Sequence, residues 1–276
     1  MNLSMKNFMA LRGMIYDRCG INFESKKIYF IKKRIAARME TLGVDTAENY
    51  IRLLKFRDPR GVEFQELLNL LTTNETYMFR EFEQLAVFAE HCLEEVCVRK
   101  EKTGDKKIRI WCAGCSTGEE AYTLAIILSE MLDSLNNWDV KILATDIDTT
   151  VLSKAKKGVY SPRSVKDVPD EYLEKYLQVS GPNFLVKKSL KKLINFKHLN
   201  LMNKTDIKYA GQFDFIFCRN VLIYFDDASR KEVVNSFYEH LDPGGFIFLG
   251  HSESISRISS SFSLRKMGGM IMYQKH

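Results

Sequence analysis

Residues 108–126 read IRIWCAGCSTGEEAYTLAI. A short apolar run passes into small residues, and these pass into a helical pattern that opens with Glu119 and Glu120. A strand, a tight turn and a helix in this order make a ligand cradle, because free backbone N–H groups and the positive helix end gather at the turn. Small residues at 113, 114, 116 and 118 let a ligand approach the backbone closely. The glycines are too few for the G-x-G-x-x-G fingerprint, Ser116 standing where a glycine is usual. The same stretch also spells Gly114-x-Ser116-x-Gly118, the nucleophile elbow of a serine hydrolase. That reading needs strands and an oxyanion segment upstream, and an acid and a histidine downstream. The upstream patterns are helical, and His251 in LGHSES has no evident acid partner, so the cradle reading takes precedence.

The next apolar run, VKILATDI, carries Asp146 near its end, 28 residues after Gly118. An acid at the end of the second strand accepts ribose hydroxyls in dinucleotide folds. Two glutamates at the helix start would repel a pyrophosphate. They favour a cationic nucleoside without phosphate, such as S-adenosylmethionine, over NAD. For Glu119 a plain complement to the helix dipole is an equally good account. Cys112 and Cys115 form a CxxC with no second ligand pair spaced for zinc, so both read as small, soft loop fillers.

Outward from the loop the period changes. Residues 4–100 read as helices throughout, with SKKIYFIKKRIAARMETLG between a Ser25 cap and a Gly43 stop, DTAENYIRLLKF starting at a capping Asp45, and a break at TTNET. KEKTGDKK (100–107) is a charged link. Beyond it, apolar runs alternate with helical patterns: IRIWCA, VKILATDI, FDFIFCRNVLIYF and FIFLGH as strands, with GEEAYTLAIILSEMLDSL, DTTVLSKAKKGVY and ASRKEVVNSFYEHL as helices and a DPGG turn. Such alternation predicts a parallel sheet with helices on both faces. Residues 160–200 differ: a helix, an SGPN turn, and two β-rich stretches, FLVKKSL and KKLINFKHL, predict a small antiparallel insertion. The tail FSLRKMGGMIMYQKH predicts a closing hairpin strand. The expected domains are 1–85, helical and basic, and 86–276, α/β, with a small β subdomain around 160–198.

Composition narrows the function classes. With 45% hydrophobic and 28% charged residues among 276, the chain has an ordinary globular balance. It has no run of about 18 uncharged apolar residues to span a bilayer, and its start, MNLSMKNFMALRG, does not read as a secretory signal. Six cysteines without framework spacing fit reduced thiols in the cytoplasm. Residues 1–60 hold 13 Lys/Arg against 6 Asp/Glu, a net +7, while residues 61–276 hold 28 against 29. A field of this kind attracts an acidic surface, whether nucleic acid, anionic lipid or protein, although a solvated helix face accounts for the charge equally well.

LLTTNETYMFRE, STGEEAY, ATDIDTTVLSKAKKGVY, HLNLM, FDFIFCRNVLIYF and GHSES, in this order, resemble the chemotaxis receptor methyltransferases, the CheR family, from about residue 8 to the end. The resemblance implies an all-helical N-terminal domain followed by a Rossmann-like S-adenosylmethionine-dependent methyltransferase domain with a small antiparallel β insertion. It implies transfer of the methyl group to glutamate side-chain carboxylates on the cytoplasmic helices of chemoreceptors, leaving S-adenosylhomocysteine. By position it implies that Asn74, Thr76 and Arg80 contact the methionine end of the cofactor, that Glu120 and Asp146 bind it, that Asn200 and Leu201 line the adenine region, and that Arg219 and Asn220 close the site. Arg80 and Tyr224 are the residues it places nearest the transferred methyl; by pattern alone Tyr224 reads as a buried strand aromatic. No metal is implied. Cysteines in the loop, where alanine is common, and Met78, where an aromatic is frequent, depart from the family pattern without removing a polar group the chemistry uses.

A glutamate carboxylate, ordinarily titrating at about 4.3, is already a nucleophile at neutral pH, so no general base is required. The implied partner is an acidic receptor bundle docked on the helix bearing Lys26, Lys27, Lys33, Arg34 and Arg38, with no nucleic acid, no membrane insertion, and a monomeric enzyme. Two other readings stay open at this point: a nucleic-acid methyltransferase and a non-catalytic S-adenosylmethionine-binding signalling module.

Overall fold

The computed structural model describes residues 3–132 and 135–276. Four helices come first: α1 (Met5–Cys19), α2 (Ile28–Leu42), α3 (Ala47–Phe56) and α4 (Val62–Leu71). Their apolar faces close on one core containing Phe8, Leu11, Ile15, Ile31, Ile35, Tyr50 and Leu67. The boundaries follow local chemistry. The Ser4 hydroxyl accepts the Asn7 amide at the start of α1, and Gly43 ends α2 in the left-handed region. Two capping expectations shift. Residues 25–27 form a 3₁₀ turn that precedes α2, and α3 is capped by the Thr46 side chain rather than Asp45. The Thr46 hydroxyl accepts the Asn49 amide at 3.2 Å. The helical reading of residues 4–100 also fails at Gly20–Glu24. There α1 ends at a left-handed Gly20, and Ile21 forms an antiparallel bridge with Phe225.

After the TTNET break, α5 (Phe82–Val87) continues through a π-turn (Phe88–Cys92) into α6 (Leu93–Lys102). The second domain then builds a seven-stranded sheet from β1 (Lys107–Ala113), β2 (Asp139–Asp146), β6 (Ile194–His198), β7 (Phe213–Cys218), β8 (Leu241–Leu249), β9 (Phe262–Met267) and β10 (Met270–Lys275). Its order is β6-β2-β1-β7-β8-β10-β9. The first five are parallel, and β10 enters antiparallel beside β8 with β9 hairpinned onto it. Strand periodicity divides the side chains between two cores. Ile108, Ile110, Ile142, Phe215, Phe217, Phe246 and Phe248 face one side, and Trp111, Ala113, Ile216, Cys218, Ile247 and Leu249 the other. Helices α7 (Glu119–Met131), α8 (Thr149–Lys157) and α12 (Asp227–His240) cover the sheet, while α10 (Lys188–Lys191) and α11 (Lys204–Lys208) are short connections on either side of β6. The predicted end of α7 at 133–134 lies outside the described residues.

Three strand expectations are corrected. FDFIFCRNVLIYF is a strand only to Cys218; Leu222–Tyr224 is a 3₁₀ turn, so Tyr224 is not a strand aromatic. DPGG does not separate helix from strand but lies within β8 as a register shift opposite Phe213–Phe215, made possible by a left-handed Gly244. The insertion's small sheet consists of β3 (Val159–Tyr160), β4 (Leu177–Ser180) and β5 (Asn183–Val186) in the order β3-β5-β4, with α9 (Asp170–Tyr176) leading into it. The second β-rich stretch, KKLINFKHL, is not part of it. Its residues 194–198 become β6, the parallel edge of the large sheet, because Ile194 and Phe196 pack into the main core.

A cavity at the switch point of the sheet

Chain order reverses between β1 and β7, from β1-β2-β6 on one side to β7-β8 on the other. Such a switch leaves a crevice outside the carboxyl ends of the strands. A cavity of about 310 Å³ lies there. Its walls come from the loop after β1 (Gly114, Cys115, Ser116), the end of β2 and the loop beyond it (Asp146, Ile147), the loops after β6 (Leu199, Asn200, Leu201) and β7 (Arg219–Val221 and Ile223–Phe225), and the segment after α4 (Thr72–Tyr77, Phe79 and Arg80). All ten residues singled out by the resemblance, Asn74, Thr76, Arg80, Glu120, Asp146, Asn200, Leu201, Arg219, Asn220 and Tyr224, line it.

The cradle is held by its own side chains. Gly114 has φ +85, and a Cβ there would lie 2.4 Å from Val221 Cγ2, so the turn accepts only glycine. Ser116 also sits in the left-handed region, at φ 49. Its amide is secured by Asp146 Oδ2 at 2.8 Å, and its hydroxyl donates to Asn74 Oδ1 at 3.3 Å. The hydrolase reading therefore has no partner among the described residues: an asparagine occupies the place of a base, and His251 lies on the exposed surface, outside the cavity walls. Cys112 and Cys115 are buried free thiols, pushed well above the ordinary thiol range by loss of solvent; Cys115 lies in the loop, whereas Cys112, read as a loop filler too, is a core residue of β1.

Asp146 accepts the Ser116 amide on one oxygen and the Asp148 amide on the other, at 2.9 Å. An ionised carboxylate has about four acceptor positions, so these two bonds leave capacity for a ligand in the cavity that Asp146 lines. Burial raises this carboxyl from 3.8 to about 6, against the pull of those amides. The two glutamates at the start of α7 divide their work. Glu119 is buried away from the cavity and accepts the Thr117 hydroxyl at 2.6 Å, while Glu120 faces the cavity and meets Arg219 at 3.3 Å. Burial raises the Glu120 carboxyl, and Arg219 opposes the shift.

Arg219 is the hub of the site. It reaches Glu120, Glu81 at 3.1 Å, and the Arg80 carbonyl at 2.6 Å, and its Nε is buried without a partner among the described residues. Arg80 is freer; among the described residues its side chain makes one hydrogen bond, to the Glu75 carbonyl at 2.9 Å. It stands between two non-glycine residues in the left-handed region, Phe79 (φ 58) and Glu81 (φ 57), the sort of strain that collects at functional turns. Tyr224 is half-buried, its hydroxyl 3.5 Å from the Thr73 carbonyl. The Asn200 side chain is committed to structure: it donates to the Arg18 carbonyl at 2.6 Å and accepts the Met202 amide.

Sequence reasoning missed one wall. Cys19, Ile21, Phe23 and Leu71, all from the helical domain, line the cavity. The signal available was GINF (20–23), a non-helical stretch directly after α1, which the helical reading absorbed. It also missed Glu81, whose neighbour Arg80 drew attention first. The basic helix is corrected in detail too. Arg38 makes a two-pronged pair with Glu63 at 3.0 and 2.6 Å, and Arg34 lies 3.5 Å over the Phe30 ring. Lys26 pairs with Glu24, whereas Lys33 makes no ion pair among the described residues. The near-neutral sum over 61–276 also conceals a second basic stretch: residues 154–197 hold 11 Lys/Arg against 4 Asp/Glu.

These residues fit a nucleoside with a cationic amino-acid end. Asp146 leaves acceptors for ribose hydroxyls, Glu120 offers a carboxylate to a cation, Arg219 Nε is a buried donor in want of an acceptor, and the loop at Gly114 tolerates close approach. Fold and site together define an S-adenosylmethionine-dependent methyltransferase. The family model described as "CheR methyltransferase, all-alpha domain" matches residues 6–72, and "CheR methyltransferase, SAM binding domain" matches residues 74–270. The chain is 42% identical to chemotaxis protein methyltransferase 2 of Vibrio cholerae, covering 98% of this chain and 92% of that protein. It is 35% identical to the chemotaxis protein methyltransferase of Escherichia coli, covering 95% and 89%. The chain belongs to the CheR methyltransferase family.

Proposed function

We propose that this methyltransferase esterifies glutamate side-chain carboxylates on the cytoplasmic helical bundle of chemoreceptors. One observation carries the choice of acceptor. Of the two arginines in the cavity, Arg219 is engaged by Glu81, Glu120 and a carbonyl, while Arg80 keeps most of its donors free for an incoming anion. A guanidinium presents a planar fork that matches a carboxylate. The names of the relatives, chemotaxis protein methyltransferases, fit an acceptor of this kind.

S-adenosylmethionine supplies a methyl group already activated on a sulfonium. The protein's task is then alignment rather than proton transfer, since the acceptor is ionised at neutral pH. In this reading Asn74, Thr76, Glu120, Arg219 and Asn220 hold the amino-acid end of the cofactor, Asp146 the ribose, and Leu201 with the Asn200 backbone the adenine side. Arg80 orients the carboxylate. Tyr224 closes the reacting end with its ring and hydroxyl.

Docking is assigned to two exposed lysines, Lys27 just before α2 and Lys33 within it, rather than to Arg38, which Glu63 holds inside the helical domain. Turnover on receptors should therefore fall as ionic strength rises. The enzyme is taken to act as a monomer, with residues 1–85 and 86–276 as its two functional units.

The deciding experiment uses methyl-labelled S-adenosylmethionine and receptor-containing membranes. Label released as volatile methanol by brief alkali identifies a carboxyl methyl ester. Label that survives alkali on the acceptor refutes the glutamate assignment.

A further inference from the structure

We infer that Glu253, which does not line the cavity, is a positioning residue that holds the turn carrying Asn220 and Tyr224. The inference rests on the role proposed for Tyr224. The Glu253 carboxylate lies between the loops that leave the carboxyl ends of β7 and β8. Its Oε2 accepts the backbone amides of Asn220 and Gly250, each at 2.8 Å, and its Oε1 accepts the Ile223 amide at 3.2 Å. Three N–H groups converging on one carboxylate form a nest for an anion, and bonds to an ionised acceptor are about twice as strong as neutral ones.

The local backbone needs this anchor. Asn220 is in the left-handed region at φ 60, and the following Leu222–Tyr224 is a single 3₁₀ turn with no helix directly continuing it. Glu253 is itself fixed from the other side, because its amide donates to the Gly250 carbonyl at 2.9 Å. The approach of the two loops requires glycine at 250: a Cβ there would lie 2.8 Å from the backbone nitrogen of Asn220, which cannot move without disturbing the turn, and 2.9 Å from Glu253 Oε2.

Arg219, one residue earlier, is anchored independently by Glu81, Glu120 and the Arg80 carbonyl. Asp146 is held by the β1 and β2 loops. Removing the Glu253 carboxylate therefore releases the amides of Asn220 and Ile223, and with them the backbone that leads into Tyr224, while leaving the rest of the cofactor's contacts in place; the Leu222 and Tyr224 carbonyls keep their own partners, Arg230 and the Asn22 amide. The expected signature is a split between binding and turnover.

Glu253→Ala and Glu253→Gln in the full chain test this by three measurements: S-adenosylhomocysteine affinity by calorimetry, amide hydrogen exchange at Asn220 and Ile223, and methyl transfer to receptor membranes. In the alanine variant we expect both amides to lose protection and turnover to fall roughly tenfold or more, as displacement of a reacting group by about 1 Å does. Cofactor affinity should stay within about threefold, since its main contacts are anchored elsewhere. Glutamine keeps an acceptor oxygen for two of the three amides and should recover part of the turnover. Unchanged amide protection in Glu253→Ala overturns the inference. So does lost protection with turnover undiminished, or a glutamine variant no better than alanine. Tyr224→Ala separates the two readings. If it turns over normally while Glu253→Ala does not, the role of Tyr224 is wrong and Glu253 acts through Asn220. If Tyr224→Ala is impaired and Glu253→Ala is not, the role of Tyr224 stands and that of Glu253 falls.

Discussion

Asp146 is the residue at which burial and ligand chemistry oppose each other most directly. Loss of solvent raises its carboxyl to about 6, whereas ribose hydroxyls donating to it favour the ionised form. Cofactor affinity should thus weaken as pH falls through about 6, with one proton released on binding in that range. Calorimetry of S-adenosylhomocysteine in buffers of different ionisation enthalpy measures the proton count directly, and Asp146→Asn should remove it. The stability effect has the opposite sense. Because the folded pKa lies above the ordinary aspartate value of 3.8, this group favours folding most below pH 3.8 and loses that contribution as pH rises through about 6. Gly114 gives a second test at this scale. Gly114→Ala forces a side chain into left-handed backbone and against Val221, next to Asn220. It should destabilise the protein by about 2 kcal/mol or more in urea titration and weaken cofactor binding with it.

At the scale of elements, the ties between helices are the informative features. Arg38 on α2, Tyr50 on α3 and Glu63 on α4 form one partly buried unit, with the Tyr50 hydroxyl 2.6 Å from Glu63. Arg38→Ala leaves that carboxylate without its cation and should cost about 3 kcal/mol of stability, read from the shift in thermal or denaturant midpoint. A loss of receptor methylation in that variant would then report unfolding rather than docking, so Lys27 and Lys33 are the positions at which to test docking. Helix α4 also carries the seam between domains. Gln65 donates to the Ile147 carbonyl at 2.7 Å, Asn69 to Thr149 at 2.9 Å, and Thr72 to Asp148 at 2.7 Å, all at the start of α8, beside the cavity.

Over the whole molecule, the cavity is built by both domains, since Cys19, Ile21, Phe23 and Leu71 face the loops of the large sheet across it. A ligand there contacts both and should couple their unfolding. Saturation at about 100 times Kd adds roughly 2.7 kcal/mol to stability. Calorimetric scans should accordingly show S-adenosylhomocysteine raising Tm and sharpening the transition into one. A ligand effect confined to part of the heat absorption would contradict a shared wall.

Much of this arrangement is local and so was legible in the chain. The change of period after residue 107, the small-residue loop at 113–118 and Asp146 at the end of β2 identify a parallel α/β domain with a nucleoside cradle, because periodicity and turn chemistry act over a few residues. The motif residues could likewise be picked out one by one, and they meet at a single cavity. What the chain alone did not disclose depends on contacts between distant segments. KKLINFKHL is β-rich in either sheet, and only packing against β2 decides that residues 194–198 close the large one. VLIYF has the pattern of a strand, but the left-handed Asn220 and its tie to Glu253 turn it into a 3₁₀ segment. Arg38 reads as one more surface charge until α4 brings Glu63 against it. Sequence by itself determined the elements and their chemistry; tertiary structure decided which charges are satisfied, which strands pair and which helical residues complete the site, because those are set by burial and by hydrogen bonds across tens of residues.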